Sequence, residues 1–160
     1  MKKLKHRGII VAVCSKNNED TAKEPFEKHP DMVLKLDDIA VFTANWENKA
    51  DNIRQIQSIL NIGFDSMVFL DDNPFERNIV RENIPELTVP ELPEDPAEYL
   101  PYVRSLNLFE TISYTQADAN RTLQYQEQAQ RTVFERSFGD ESQFLESLQM
   151  VSVVKSFDAF

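Results

Sequence analysis

Two carboxylates stand side by side at Asp71 and Asp72, after the apolar run Met67-Val68-Phe69-Leu70 and before Asn73-Pro74. Adjacent carboxylates repel each other unless a cation lies between them. Mg²⁺, a hard and oxygen-seeking ion, suits such a pair. A hydroxyl, Ser15, follows a second apolar run, and with the N–H groups of Lys16 and Asn17 behind it forms a candidate anion site. Lys49 opens a helical stretch, where a cation faces the positive end of the helix dipole and an anionic partner would make sense of it. Each feature alone has a plainer reading: an acidic turn, a helix cap, an exposed lysine. Together they provide a hydroxyl and an ammonium for phosphate oxygens, and carboxylates for a metal. Phosphoryl transfer asks for that combination.

The elements that must position these groups alternate between strand and helix. Met67–Leu70 and Gly8–Cys14 are near-continuous apolar runs, the pattern of strands buried on both faces of a parallel sheet. Asn17 or Asn18 is placed to cap a helix running to about Lys28, with Glu19 and Asp20 in its first turn and His29-Pro30 closing it. Val33–Leu36 and Ile39–Thr43 read as short extended pieces. A helix from Asn45–Lys49 carries Ile53, Ile56, Ile59 and Leu60 on one face, with Gly63 as its stop. Asn73 caps a further helix, with Pro74 as its first residue and Arg77 and Arg81 on one side. Leu87–Val89 is a short strand. Pro90–Pro101, with four prolines and four acids, is a loop.

Farther on, Leu106–Ile112 is a short apolar segment. Thr115–Asp118 resembles a capping box for a long helix to about Phe138, broken at Gly139-Asp140. Ser142–Met150 is a second amphipathic helix and Val151–Val154 a strand. With parallel strands joined by helical crossovers, all strand carboxyl ends meet at one sheet edge, where open α/β folds bind ligands. Ser15, Lys49, Asp71 and Asp72 all fall at or near such ends.

Composition narrows the alternatives. The chain has 160 residues, 41% hydrophobic and 28% charged, enough for one domain with a sizeable core. A net charge of −10 argues against nucleic acid as a partner. No apolar run reaches the roughly 20 residues of a membrane span, and the basic start leads only into a short apolar run, unlike a signal peptide. One cysteine, Cys14, excludes an internal disulfide and reads as core; the expected compartment is cytoplasmic. His6 reads as surface, His29 as a turn residue, and Trp46 as core or the rim of a site. With three glycines, the chain has no P-loop. A two-component receiver domain would place the acidic pair before the hydroxyl and the lysine, the reverse of the order here.

The order hydroxyl, lysine, acidic pair resembles the haloacid dehalogenase (HAD) superfamily of phosphatases and phosphotransferases. Its second motif is matched by Ser15, its third by Lys49, and its fourth by Asp71 and Asp72. The stretches Cys14–Asp20, Glu27–Met32, Asn45-Trp46 with Lys49, Phe69–Pro74 and Val89–Pro96 are similar to the FkbH-like group, subfamily IIIC. The likeness covers roughly residues 1–150.

The resemblance implies a Rossmann-like α/β three-layer sandwich with a parallel sheet and a helical C-terminal extension. Residues 1–100 would form the phosphatase core, 101–150 the extension, and 151–160 a tail or the start of a following domain. It implies Ser15 and Lys49 as catalytic groups, Ser15, Lys16, Asn17 and Lys49 as phosphate ligands, and Asp71 and Asp72 as ligands of Mg²⁺. The implied substrate is a phosphorylated small molecule of phosphoglyceryl type, with the acyl unit passed to an acyl carrier protein in polyketide-type biosynthesis. The superfamily's first motif, D-x-D-x-T, has no match in the chain. That motif supplies the nucleophile on a strand between those ending at Ser15 and Asp71, so the chain is expected to start about one βα unit late. Met1–Arg7 resembles the helix just before the second strand. Two function classes stay open: a phosphatase or phosphotransferase domain, and an inactive phosphate-binding or scaffolding module.

Overall fold

The computed structural model describes residues 1–110, 115, 120–136, 138, 141–147 and 149. The expected capping box at 115–118, the break at 139–140, the strand at 151–154 and the tail at 151–160 lie wholly or mainly outside them.

The chain opens with helix α1 (Lys2–His6) and turns at Gly8, whose φ of 83° is left-handed backbone that glycine adopts without steric cost. Strand β1 is Ala12–Lys16, four residues later at its start than the apolar run suggests. The left-handed Gly8 delays the pairing: Val11 O is the first acceptor on this side, taking the Ala40 N–H at 2.8 Å. Helix α2 (Glu19–Lys28) follows, then strand β2 (Val41–Asn45), which pairs in parallel with β1, Ser15 opposite Ala44. The expected strand at Val33–Leu36 is instead irregular chain entering a 3-10 turn, Leu36–Asp38, where the Asp38 carboxylate accepts the Lys35 N–H. Local side-chain hydrogen bonding wins there over pairing.

Helix α3 (Lys49–Leu60) is the centre of packing. Ile56, Ile59 and Leu60 join Ala40 and Val41 in one buried cluster; Ala50 and Ile53 join Val80, Ile84 and Leu87 in another. Val41 faces α3, and its neighbour Phe42 meets Phe26 of α2 edge-on at 5.6 Å between ring centres. Successive strand side chains point to opposite faces, so the two strands carry helices on both sides. The stop of α3 is Asn61, not Gly63: Asn61 sits in the left-handed region at φ 52°, and Gly63 instead begins a 3-10 turn, Phe64–Ser66. Asparagine is the usual alternative to glycine at a left-handed cap.

Met67–Leu70 is not a full strand. Val68 makes one parallel bridge to Thr88, and the four residues are half-buried, not enclosed on both faces. Among the described residues no backbone bond joins this segment to β1, so the sheet is in two pieces. Helix α4 (Pro74–Asn83) starts as expected, with Asn73 Oδ1 accepting the Phe75 N–H at 2.9 Å. The Pro90–Pro101 loop ends early. Asp95 accepts the Ala97 N–H, opening a 3-10 turn that leads into α5 (Tyr99–Ser105), with Pro101 inside the helix. Proline is tolerated there because first-turn N–H groups have no intrahelical partner. Helix α6 (Arg121–Arg136) packs on α3 through Ala129, and Gln126 donates to the Ile39 carbonyl at 2.7 Å. Helix α7 is Glu141–Ser147. No helix among the described residues is long and apolar enough to cross a membrane.

Candidate functional site

Lys49 is the residue the local structure works hardest to place. Asn48 caps α3 by accepting the Ala50 N–H at 2.8 Å. Asn45, the last residue of β2, and Asn52, in the second turn of α3, exchange amide hydrogen bonds at 3.1 and 2.7 Å. Asn52 is 1% exposed, so this pair ties the end of β2 to α3 from inside. Lys49, between the two ties, is 9% exposed and forms a buried ion pair with Asp71. Its ammonium also lies 6.0 Å from the centre of the Phe69 ring.

The acidic pair divides into two unlike carboxylates. Asp71 is buried; one of its oxygens meets Lys49 and the other accepts the Asn73 N–H at 2.9 Å. Asp72 is exposed, and among the described residues its carboxylate has no hydrogen bond or ion pair. One carboxylate is fixed and one is available. Arg77, 5% exposed, folds back beneath them, with Nη1 donating to the carbonyls of Asp71 at 2.7 Å and Asp72 at 3.0 Å. Its Nε and Nη2 donate to Glu91, at 3.1 and 2.6 Å. Hydrogen bonds from Arg77, then from Arg81, hold the Glu91 carboxyl below its ordinary pKa.

Ser15, Lys49, Asp71 and Asp72 line one cavity of about 1080 Å³, walled on its far side by α1, α5 and the segment after it. Cys14 and Ser15 of β1 and Leu70 share this lining, and Lys3, Arg7 and Arg104 bring positive charge to its wall, Arg7 paired there with Glu110 at 3.6 Å. Two expected phosphate ligands are elsewhere. Lys16 Nζ is held by Glu76 Oε1 at 2.7 Å, and Asn17 Oδ1 accepts the Asn18 N–H at 2.8 Å; neither residue lines the cavity. Asn18 stands at the N-cap of α2 but its side chain makes no capping bond; its side-chain oxygen accepts the indole N–H of Trp46 at 2.9 Å, and Trp46 is 70% exposed and outside the cavity lining. Cys14 is half-buried, with Sγ 3.8 Å from the Lys49 carbonyl. Burial pushes its thiol up to about 11 against the pull of Lys49, so it is no nucleophile near neutral pH. His6 and His29 are both exposed, and His29 Nδ1 accepts the Asp31 N–H.

Sequence reasoning missed Asn52, Glu76 and the role of Arg77. A signal existed for Arg77, since a cation early in a helix opposes the dipole and needs compensating partners. Glu76 is buried, and its second oxygen, Oε2, has no hydrogen-bond partner among the described residues. Nothing in the sequence distinguished it from a solvated first-turn acid.

No family model matches the chain, and no curated protein sequence does. A crystal structure of the N-terminal part of the protein BF1531 from Bacteroides fragilis, containing a phosphatase domain complexed with Mg, is similar to it at 79% identity and a TM-score of 0.69. The likeness covers 71% of this chain and 30% of that one. This chain therefore spans under a third of the length of the structure it matches.

Proposed function

We propose that this chain carries the phosphate- and metal-binding part of a Mg²⁺-dependent phosphatase or phosphotransferase site of the HAD type. The observation that supports this most is the convergence of Ser15, Lys49, Asp71 and Asp72, from separate segments, on one cavity. The likeness to a phosphatase domain complexed with Mg supports it independently.

The residues present fit Mg²⁺. The ion takes one or two carboxylates and completes its shell with water and substrate phosphate. Asp72 offers an unengaged carboxylate and Asp71 a fixed one beside it, and the described residues hold no cluster of three or more metal-ligating side chains. When bound, the metal would neutralise phosphate charge and polarise phosphoryl oxygens. Lys49 orients Asp71 through their ion pair and presents positive charge to the cavity. Ser15 offers a neutral donor to a phosphate oxygen.

The finer reading is of FkbH type: a phosphoglyceryl-type substrate loses phosphate and its acyl unit passes to an acyl carrier protein. The joined motifs from Cys14 to Pro96 support it. A second reading, an inert phosphate-binding module, is favoured by one specific observation: residues 1–160 contain no D-x-D-x-[TV]. Inorganic phosphate titrated into the chain with and without Mg²⁺ tests the shared part of both. Binding that needs Mg²⁺ and is lost in Lys49→Met supports the site; binding indifferent to both sinks it. Release of phosphate from an aryl phosphate separates the readings. Without a first-motif aspartate, residues 1–160 alone are expected to stay at background. Turnover abolished by Asp71→Asn would mean that another carboxylate attacks phosphorus.

A further inference from the structure

We infer that Arg77 is the positioning residue of the acidic pair, and that the Glu91–Arg77 brace sets the geometry in which Asp71 and Asp72 receive a cation. Arg77 touches neither carboxylate. It holds the backbone that carries them, one nitrogen bridging the carbonyls of Asp71 and Asp72 while the rest of the guanidinium is tied to Glu91. These are four hydrogen bonds from a side chain with almost no solvent contact. A guanidinium offers five donors in a rigid planar fork, and lysine, a single rotatable ammonium, cannot reproduce that arrangement.

The placement is also costly. Arg77 lies one turn into α4 with its charge drawn back to the helix start, against the dipole. Glu91, on a separate segment, offsets that cost, and Arg81 shares the same carboxylate at 2.5 Å. Such an arrangement makes little sense for solubility and good sense for rigidity. Asp71 is already fixed by Lys49 and the Asn73 N–H, but exposed Asp72 has no side-chain tie of its own. Its hold on position comes through its carbonyl and hence through Arg77. Partners behind a metal's ligands typically change affinity by about 10–100-fold when removed.

The test uses Arg77→Lys in the 160-residue chain, with Arg54→Met as the comparison. Arg54 makes an arginine–carbonyl bond to Asn83 at the far end of α4, so its loss reports merely structural weakening. Two quantities are read below the melting transition of each variant: amide hydrogen exchange at Asn73, whose N–H bonds to Asp71, and the Mg²⁺ dissociation constant by calorimetry. The expected result is exchange at Asn73 at least about tenfold faster in Arg77→Lys, and Mg²⁺ binding weaker by about 10-fold or more. Arg54→Met should leave both near the parent values, and Glu91→Gln should move them in the same direction as Arg77→Lys, but less. Unchanged exchange at Asn73 in Arg77→Lys overturns the inference, as does an equal effect from Arg54→Met. The inference rests on the Mg²⁺ reading only for its second measurement. If the parent chain binds no Mg²⁺, that reading fails, and the exchange rates still decide whether Arg77 holds the loop.

Discussion

Lys49, on the first turn of α3, and Asp71, 22 residues farther on, form an ion pair with both side chains nearly closed to solvent. This changes what a lysine in a first helical turn means. On a surface, such a lysine costs a few tenths of a kcal/mol against the dipole, and its removal would be harmless or slightly helpful. Buried against Asp71, it compensates a charge that water no longer reaches.

The consequence is a stability prediction opposite to the one position alone suggests. Lys49→Met leaves Asp71 buried without its partner and should destabilise the fold by about 3–5 kcal/mol. The pair Lys49→Met with Asp71→Asn should recover most of that loss, because neither charge then remains. Urea unfolding of the two single variants and the double variant checks this. Additive losses would mean that the two residues do not act as a pair.

Acid should loosen the N-terminal end of the fold first. Burial would raise the Asp38 carboxyl, but the hydrogen bond from Lys5, the Lys35 N–H and the charges of Lys5 and Lys2 together lower it below its usual 3.8. A depressed folded pKa means the stabilisation is fully present above the unfolded value and is lost as pH falls through the folded one. Wild type should therefore exceed Asp38→Asn in stability by a constant margin above about pH 5, the two converging below about pH 4. A margin that persists unchanged at pH 2–3 would show that the carboxylate's charge is not its source.

Cys14 should resist alkylation. With its thiol raised to about 11, about one molecule in a thousand carries a thiolate at pH 8. Iodoacetamide labelling of the folded chain should run at least tenfold slower than in urea, rising by about tenfold per pH unit up to pH 10. Labelling as fast as that of a free thiol would contradict the burial described for it.

Much of the fold was legible because apolar period and caps carry direct physical meaning. The isoleucine face of α3 and the Asn73-Pro74 start of α4 follow from spacing and capping alone, and the polar helix α6 falls within the stretch the sequence pattern marked as helical. The misses at the site come from competition by non-local partners, unlike the local hydrogen bonding that replaced the strand at Val33–Leu36. Asn18 looked like a helix cap but its oxygen is taken by Trp46, and Lys16 looked like an anion ligand but is taken by Glu76. Met67–Leu70 has the composition of an enclosed strand, yet it stays half-buried with a single bridge to Thr88, and no local pattern encodes that. Ser15, Lys49 and the acidic pair were readable as residues with suitable chemistry. That Asp71 and Asp72 play different parts was not, because adjacency in sequence says nothing about which carboxylate meets the lysine.

The central claim is that Asp71 and Asp72 form the metal end of a phosphate site, and calorimetry with Mg²⁺ tests it most directly. Titration into the chain should show one weak site, since Mg²⁺ here takes two carboxylates at most and water fills the rest. Asp72→Asn should abolish the heat while leaving the melting temperature nearly unchanged, as its side chain is exposed and unpaired among the described residues. Tight binding that survives replacement of both Asp71 and Asp72 by asparagine would contradict the account.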